Sequence, residues 1–144
     1  MSGRVAIHGS YFANNYGDTL LVKLMCDQVS QYVGKENVYL AVEGDEDEQK
    51  YIGYPVLDKN DREGIEFLIF AGGGYFGEPQ SSSVKKAKWA LRNYKRHISW
   101  VNEFKRAKIG VYGVGFGPLS SNLFRYFLQK RVFGRAETVF FSRY

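Results

Sequence analysis

The stretch Phe67-Leu68-Ile69-Phe70-Ala71 runs without a polar residue into Gly72-Gly73-Gly74. An apolar run with no alternation reads as a strand buried on both faces, and such strands belong to parallel sheets covered by helices. Three successive glycines at its end leave bare backbone that can take positive φ or let another group approach closely. Taken alone, they are either a tight turn out of the strand or a cradle of N–H groups for an anion or the face of a sugar.

The rest of the chain alternates in the same manner. Val5-Ala6-Ile7-His8 makes a first strand, closed by Gly9 and a polar loop. Asp18 is placed to cap a helix whose Leu20, Leu21, Leu24, Met25 and Val29 share one face, and Gly34 to end it. Residues 38–42 form a second strand. Glu43-Gly44-Asp45-Glu46-Asp47-Glu48 lacks the ligand order of a calcium loop and reads as a solvated acidic turn. Ser81 to Ser83 offer caps for one long helix or two shorter ones carrying Ala87, Leu91, Tyr94, Ile98, Val101 and Phe104. Residues 109–114 are the next buried strand, Ser120 or Ser121 caps a helix that Gly134 ends, and residues 138–141 are the last strand.

Strands and helices in this order predict a single α/β domain over residues 1–144, Rossmann-like, with a mostly parallel sheet and helices on both faces. Ligands of such sheets sit outside the carboxyl ends of the strands. Asn15 to Asp18, Gly72 to Gly74, Gly113 to Pro118 and Ser142-Arg143 all follow strands at that edge. Arg143 lies directly after a buried strand, where a guanidinium either clamps a carboxylate or phosphate bidentately or stands on the surface of a frayed end.

Several chemistries do not fit. The first turn, residues 9–17, lacks Gly-x-Gly-x-x-Gly, and no Gly-Lys-Ser/Thr or Gly-x-Ser-x-Gly occurs. The single cysteine, Cys26, allows no internal disulfide and reads as a small core residue. His8 and His97 are far apart in sequence, and His8 reads as a core or rim histidine. No metal site is expected. The absence of a signal-like or spanning apolar stretch points to a cytoplasmic protein.

The net charge of +5 conceals a division: residues 1–79 carry 6 Lys/Arg against 13 Asp/Glu, and residues 80–144 carry 14 against 2. The halves stand at −7 and +12, so the second half either meets an anionic ligand or surface or faces the acidic half. No nucleic-acid recognition motif accompanies the charge.

With these residues in view, the chain resembles the N-terminal part of the polysaccharide pyruvyl transferase family. Asn15-Tyr16-Gly17-Asp18 looks like the family's Asn-x-Gly-Asp, and Phe70-Ala71-Gly72-Gly73-Gly74 like its central glycine turn. Gly113-Val114-Gly115-Phe116-Gly117-Pro118-Leu119 looks like its Gly-x-Gly-x-Gly-Pro segment, and Phe141-Ser142-Arg143 like its strand-terminal arginine motif. The resemblance implies the N-terminal half of a GT-B-like architecture. It implies transfer of pyruvate from phosphoenolpyruvate to a sugar of a cell-surface polysaccharide as a ketal, with phosphate released and no cofactor. Asn15, Gly17, Asp18, Gly72, Gly73, Gly74, Gly115, Gly117 and Arg143 are the substrate-binding residues it marks out, Arg143 contacting phosphoenolpyruvate.

The family usually carries Asp after that arginine, where this chain has Tyr144. Its C-terminal domain, expected to supply a histidine acid and further arginines, lies outside these residues, so no catalytic residue is assigned to this half. The basic second half would suit a lipid-linked acceptor and peripheral contact with the inner membrane face. The competing readings are a GT-B glycosyltransferase or sugar-nucleotide or acceptor-binding domain on the same architecture, and a module that self-associates through its many aromatic side chains.

Overall fold

A computed structural model describes residues 3–12 and 14–141. The order of elements is β1 (Val5–His8), α1 (Tyr16–Val33), β2 (Val38–Leu40), α2 (Glu46–Ile52), β3 (Phe67–Phe70), β4 (Gly73–Phe76), α3 (Ser83–His97), β5 (Lys108–Phe116), α4 (Asn122–Arg131) and β6 (Ala136–Phe141). All the strand pairings are parallel: β2 with β1, β1 with β3, and β5 with β3, β4 and β6. The protein is therefore an α/β, Rossmann-like fold, as the alternation predicts.

The triple glycine is not a loop. Phe70 lies opposite Val111 and Gly73 opposite Val114, so β3 and β4 continue one line along β5 with no residue gained or lost between them. Tertiary pairing overrides the poor strand propensity of glycine, because the long β5 supplies the ladder. Counting that broken line once, the sheet runs β2, β1, β3/β4, β5, β6. Connections leave β1 in one direction and reach β3 in the other, which puts the topological switch point between β1 and β3.

Helices cover both faces. His8 and Phe70, register partners on one face, receive the His97 ring of α3 and the Trp100 ring that follows it. On the other face a Cβ built at Gly9 would meet Val22 of α1 at 2.2 Å, so the absence of a side chain there lets the helix seat on β1. Beyond α1 this second face is less covered: Tyr112 and Phe140 stack on one another, ring centroids 5.3 Å apart, and Phe140 is exposed.

Helix boundaries follow local chemistry. Asn15, not Asp18, is the N-cap residue of α1; Asp18 sits in the first turn, where its charge complements the helix dipole, and the Asn15 amide donates to it at 3.1 Å. Gly34 ends α1 at φ 87°. The acidic run expected to be a solvated turn forms α2: the Asp45 side chain accepts from the N–H groups of Asp47 and Glu48, and Glu46, Asp47 and Glu48 fill the first turn. Ile98 closes α3 and a short 3₁₀ turn over Val101–Glu103 follows, so residues 83–104 are two helical pieces.

The two histidines meet in the core. His8 Nε2 and His97 Nδ1 are 2.7 Å apart, one donating to the other, inside a shell of Tyr11, Phe12, Phe70, Tyr75 and Trp100. Tyr75 stacks on His97 at 4.7 Å and donates its hydroxyl to the Ala71 carbonyl at 2.8 Å. Burial lowers both imidazoles, that of His97 to about 3; the adjoining His97 ring adds to the shift of His8, and the Arg96 cation to that of His97. Both stay neutral in the fold while the unfolded chain takes up protons below about pH 6.5, so their contribution is complete above that pH and declines as pH falls. Denaturant titrations between pH 7 and pH 5 should show stability dropping by up to ~1.4 kcal/mol per pH unit for each histidine, and His97→Phe should flatten that slope.

Candidate functional site

The carboxyl ends of β1, β3/β4 and β5 bring the sequence-predicted residues to one rim. Ala71 N–H donates to the His8 carbonyl at 2.7 Å, extending the β1–β3 pairing to the edge of the glycines. From there the first turn of α1 leans over the broken line. A Cβ at Gly73 would come within 3.2 Å of the Asp18 carboxyl, and one at Gly72 would meet Leu21 at 3.1 Å and the Gly113 carbonyl at 3.3 Å. Gly73 has φ 131° and Gly113 φ 66°, both in the region that favours glycine.

Gly74 differs from its two neighbours. It is exposed, and no atom lies within 4 Å of the place a Cβ would occupy. Gly72 and Gly73 thus serve packing, while the backbone at Gly74 is open. Asn15 and Gly17 stand exposed at the start of α1, next to Asp18. Gly115 lies buried within β5, two residues before the turn that Gly117 begins. Arg143 lies outside the described residues.

The loops after β4 and β5 are locked together by a second glycine pair. A Cβ at Gly117 would sit 2.9 Å from Gly77 Cα, and Glu78 N–H donates to the Pro118 carbonyl at 3.2 Å. Glu78 is buried, accepts the Ser120 hydroxyl at 2.8 Å and pairs with Lys86 at 3.4 Å. The Ser120 N–H, then its hydroxyl and Lys86, hold the Glu78 carboxyl below its usual range against burial.

The electrostatic character of the rim near the switch point is acidic. Burial raises the Asp18 carboxyl, with the Ser10 hydroxyl opposing. Glu48 of α2 is buried and points at the start of α1: its carboxylate faces the Thr19 hydroxyl and the N–H groups of Asn14 and Asn15, yet closes no hydrogen bond of good geometry to a described group. Burial raises this carboxyl as well. With Asn14, Tyr16, Asp47 and Tyr51 it borders a pocket of about 250 Å³. The N-terminus of α1 is thereby already faced by carboxylates, so it favours hydroxyl groups over a further anion.

Sequence reasoning missed Glu48, Glu78, Tyr75 and the histidine pair. Only an alignment of α2 with the N-terminus of α1 reveals Glu48, and its place in a run of carboxylates hides it. A larger groove, about 480 Å³, is lined by Gly72 together with Leu21, Leu24, Met25, Gln28, Tyr112 and Gly113. Among the described residues no three His, Cys, Asp or Glu side chains converge as metal ligands.

A parallel sheet with paired-glycine bends and an acidic first turn along one rim defines a Rossmann-like α/β protein whose candidate site lies at the carboxyl ends of its strands. The family model for polysaccharide pyruvyl transferase matches residues 15–141 of the 144, and the chain belongs to that family. No curated protein sequence gives a significant match.

The two kinds of glycine should separate in mutagenesis. Gly117→Ala forces a Cβ onto the Gly77 backbone and should cost ~1–3 kcal/mol of stability in a denaturant melt. Gly74→Ala should remain within about 0.5 kcal/mol of the parent, since nothing occupies the space its methyl would fill.

Proposed function

We propose that this chain is the N-terminal, acceptor-binding half of a transferase that moves pyruvate from phosphoenolpyruvate to a sugar as a ketal. The observation that carries the reading is the Asp18 carboxyl set over Gly73, beside the open backbone of Gly74, at the switch point of the sheet. A carboxylate whose described partners are neutral, the Asn15 amide and the Ser10 hydroxyl, is suited to accept hydrogen bonds from sugar hydroxyls. Its raised pKa makes it a stronger base toward them.

In the reaction, C3 of phosphoenolpyruvate gains a proton and C2 becomes oxocarbenium-like. Two sugar oxygens form bonds to C2 as the C2–O bond to phosphate breaks. One hydroxyl proton is balanced by the new methyl group, and the other leaves on phosphate. Asp18 orients and deprotonates an attacking hydroxyl. Arg143 of this chain contacts phosphoenolpyruvate, while the further cations that clamp it and the acid that protonates C3 are assigned to a second domain across the cleft. The acceptor is a saccharide of a cell-surface polysaccharide carried on a lipid, and the 144-residue chain alone turns nothing over.

A thermal-shift panel tests this reading. Saccharide acceptors should raise the melting temperature of the chain, Asp18→Asn should abolish the shift while leaving the unliganded melt within a few degrees, and phosphate release from phosphoenolpyruvate should be absent. A shift with nucleotide sugars and none with free glycans would assign the cleft to a glycosyltransferase instead. Phosphate release by the 144-residue chain would refute its dependence on a second domain.

A further inference from the structure

The outer surfaces of α3 and α4 combine two features that a solvated helix pair does not need. Their buried sides are complete: Trp89, Ala90, Asn93 and His97 of α3 and Phe124 and Leu128 of α4 face inward, with Trp89 against Phe124 at 5.2 Å. Yet Leu91 and Leu123 stand on the outside, 59% and 67% exposed, and Val84 of α3 and Tyr126 of α4 are exposed as well. Between the helices runs an apolar groove of about 330 Å³, walled by Ala87, Leu91, Tyr94, Leu123, Phe124 and Phe127. The Arg131 guanidinium lies 4.8 Å from the Phe127 ring.

The charge around this groove has one sign. Neither helix contains an acidic residue. Lys86 is matched by Glu78, but Lys85, Lys88, Arg92, Lys95 and Arg125 have no carboxylate within ion-pair distance among the described residues. Lys85, Lys88, Arg92 and Lys95 are exposed along α3, and side chains of this kind can lay their aliphatic stems on an apolar surface while the charged group reaches outward. No helix among the described residues is long and apolar enough to cross a membrane. Aliphatic side chains at the centre, cations at the edge and a tyrosine between them form the arrangement by which a surface helix lies in a headgroup layer.

From these residues we infer that the α3–α4 face docks on an anionic lipid bilayer. Leu91 and Leu123 enter the boundary of the acyl chains, and Lys85, Lys88, Arg92 and Lys95 meet lipid phosphates. Nucleic acid would use the cations and leave the leucines without a role. The assignment gives a place to the lipid-linked acceptor proposed above, but it stands on the charge and exposure of this face: silence toward vesicles would leave the transferase reading intact, and silence toward saccharides would leave the docking surface intact.

Sedimentation of the chain with vesicles tests it. The protein should pellet with mixed phosphatidylglycerol–phosphatidylcholine vesicles and not with phosphatidylcholine alone, and salt should weaken the association. Combined Lys85→Gln, Lys88→Gln and Arg92→Gln should reduce partitioning on the order of a hundredfold, about fivefold per cation. Leu91→Ser with Leu123→Ser should reduce it too while leaving the melting temperature unchanged, since both side chains are exposed. Failure to bind mixed vesicles, equal binding to both compositions, or insensitivity to the leucine pair would overturn the inference. So would a self-association abolished by the same variants without any vesicle binding.

Discussion

Bare backbones pressed against one another at the strand ends are the constraint on which this structure depends. A Cβ at Gly72 would crowd the Gly113 carbonyl at 3.3 Å, and one at Gly117 would meet Gly77 Cα at 2.9 Å, closer than side chains come without movement of the backbone. These contacts draw the ends of β3/β4 and β5 together, and the Glu78–Ser120–Lys86 cluster fastens the loops just beyond them. A rim held by main chain leaves its side chains free for other purposes. Asp18 and the exposed Gly74 take no part in joining the strands.

The same economy appears underneath. The histidine pair and the Tyr75 ring join α3 to β1 and β4 through one neutral polar contact in an aromatic shell, with Phe70 and Trp100 stacked beside it. Placing neutral imidazoles there avoids the desolvation cost of a charge, and it makes this part of the core responsive to acid. Polarity outside is divided: carboxylates gather at the start of α1 and in α2, cations on α3 and α4. The chain thus presents an acidic cleft margin and a basic flank.

Local chemistry in the sequence was enough for most of the fold. Unalternating apolar runs identified β1, β3 and β5, the 3.6-residue period identified α1, α3 and α4, and Gly34 marked a real helix end. The omissions have a common cause, which is that their structure comes from a distant partner. Gly73–Phe76 is a strand because β5 runs alongside it, against the preference of its own residues. Glu48 is buried because α2 folds against the start of α1, which the five charged and glycine residues before it conceal. His8 and His97, separated by 89 positions, share a hydrogen bond that no spacing rule anticipates. Of the candidate site, the glycines and Asp18 could be read from their place after strands, whereas the distinction between packing glycines and the open Gly74 required the positions of their neighbours.

The nine-residue β5 touches both pieces of the broken line on one side and β6 on the other, so it serves as a ruler for the whole rim. Its length sets how far the glycines of β4 lie from the start of α1 and from the turn at Gly117. Substitutions along it that respect volume can be absorbed locally, but one inserted or deleted residue would move every mark beyond it and turn the side chains that follow to the opposite side. Related chains should therefore vary freely in the loop lengths around α2 and α3 while the count of residues from Lys108 to Phe116 stays fixed.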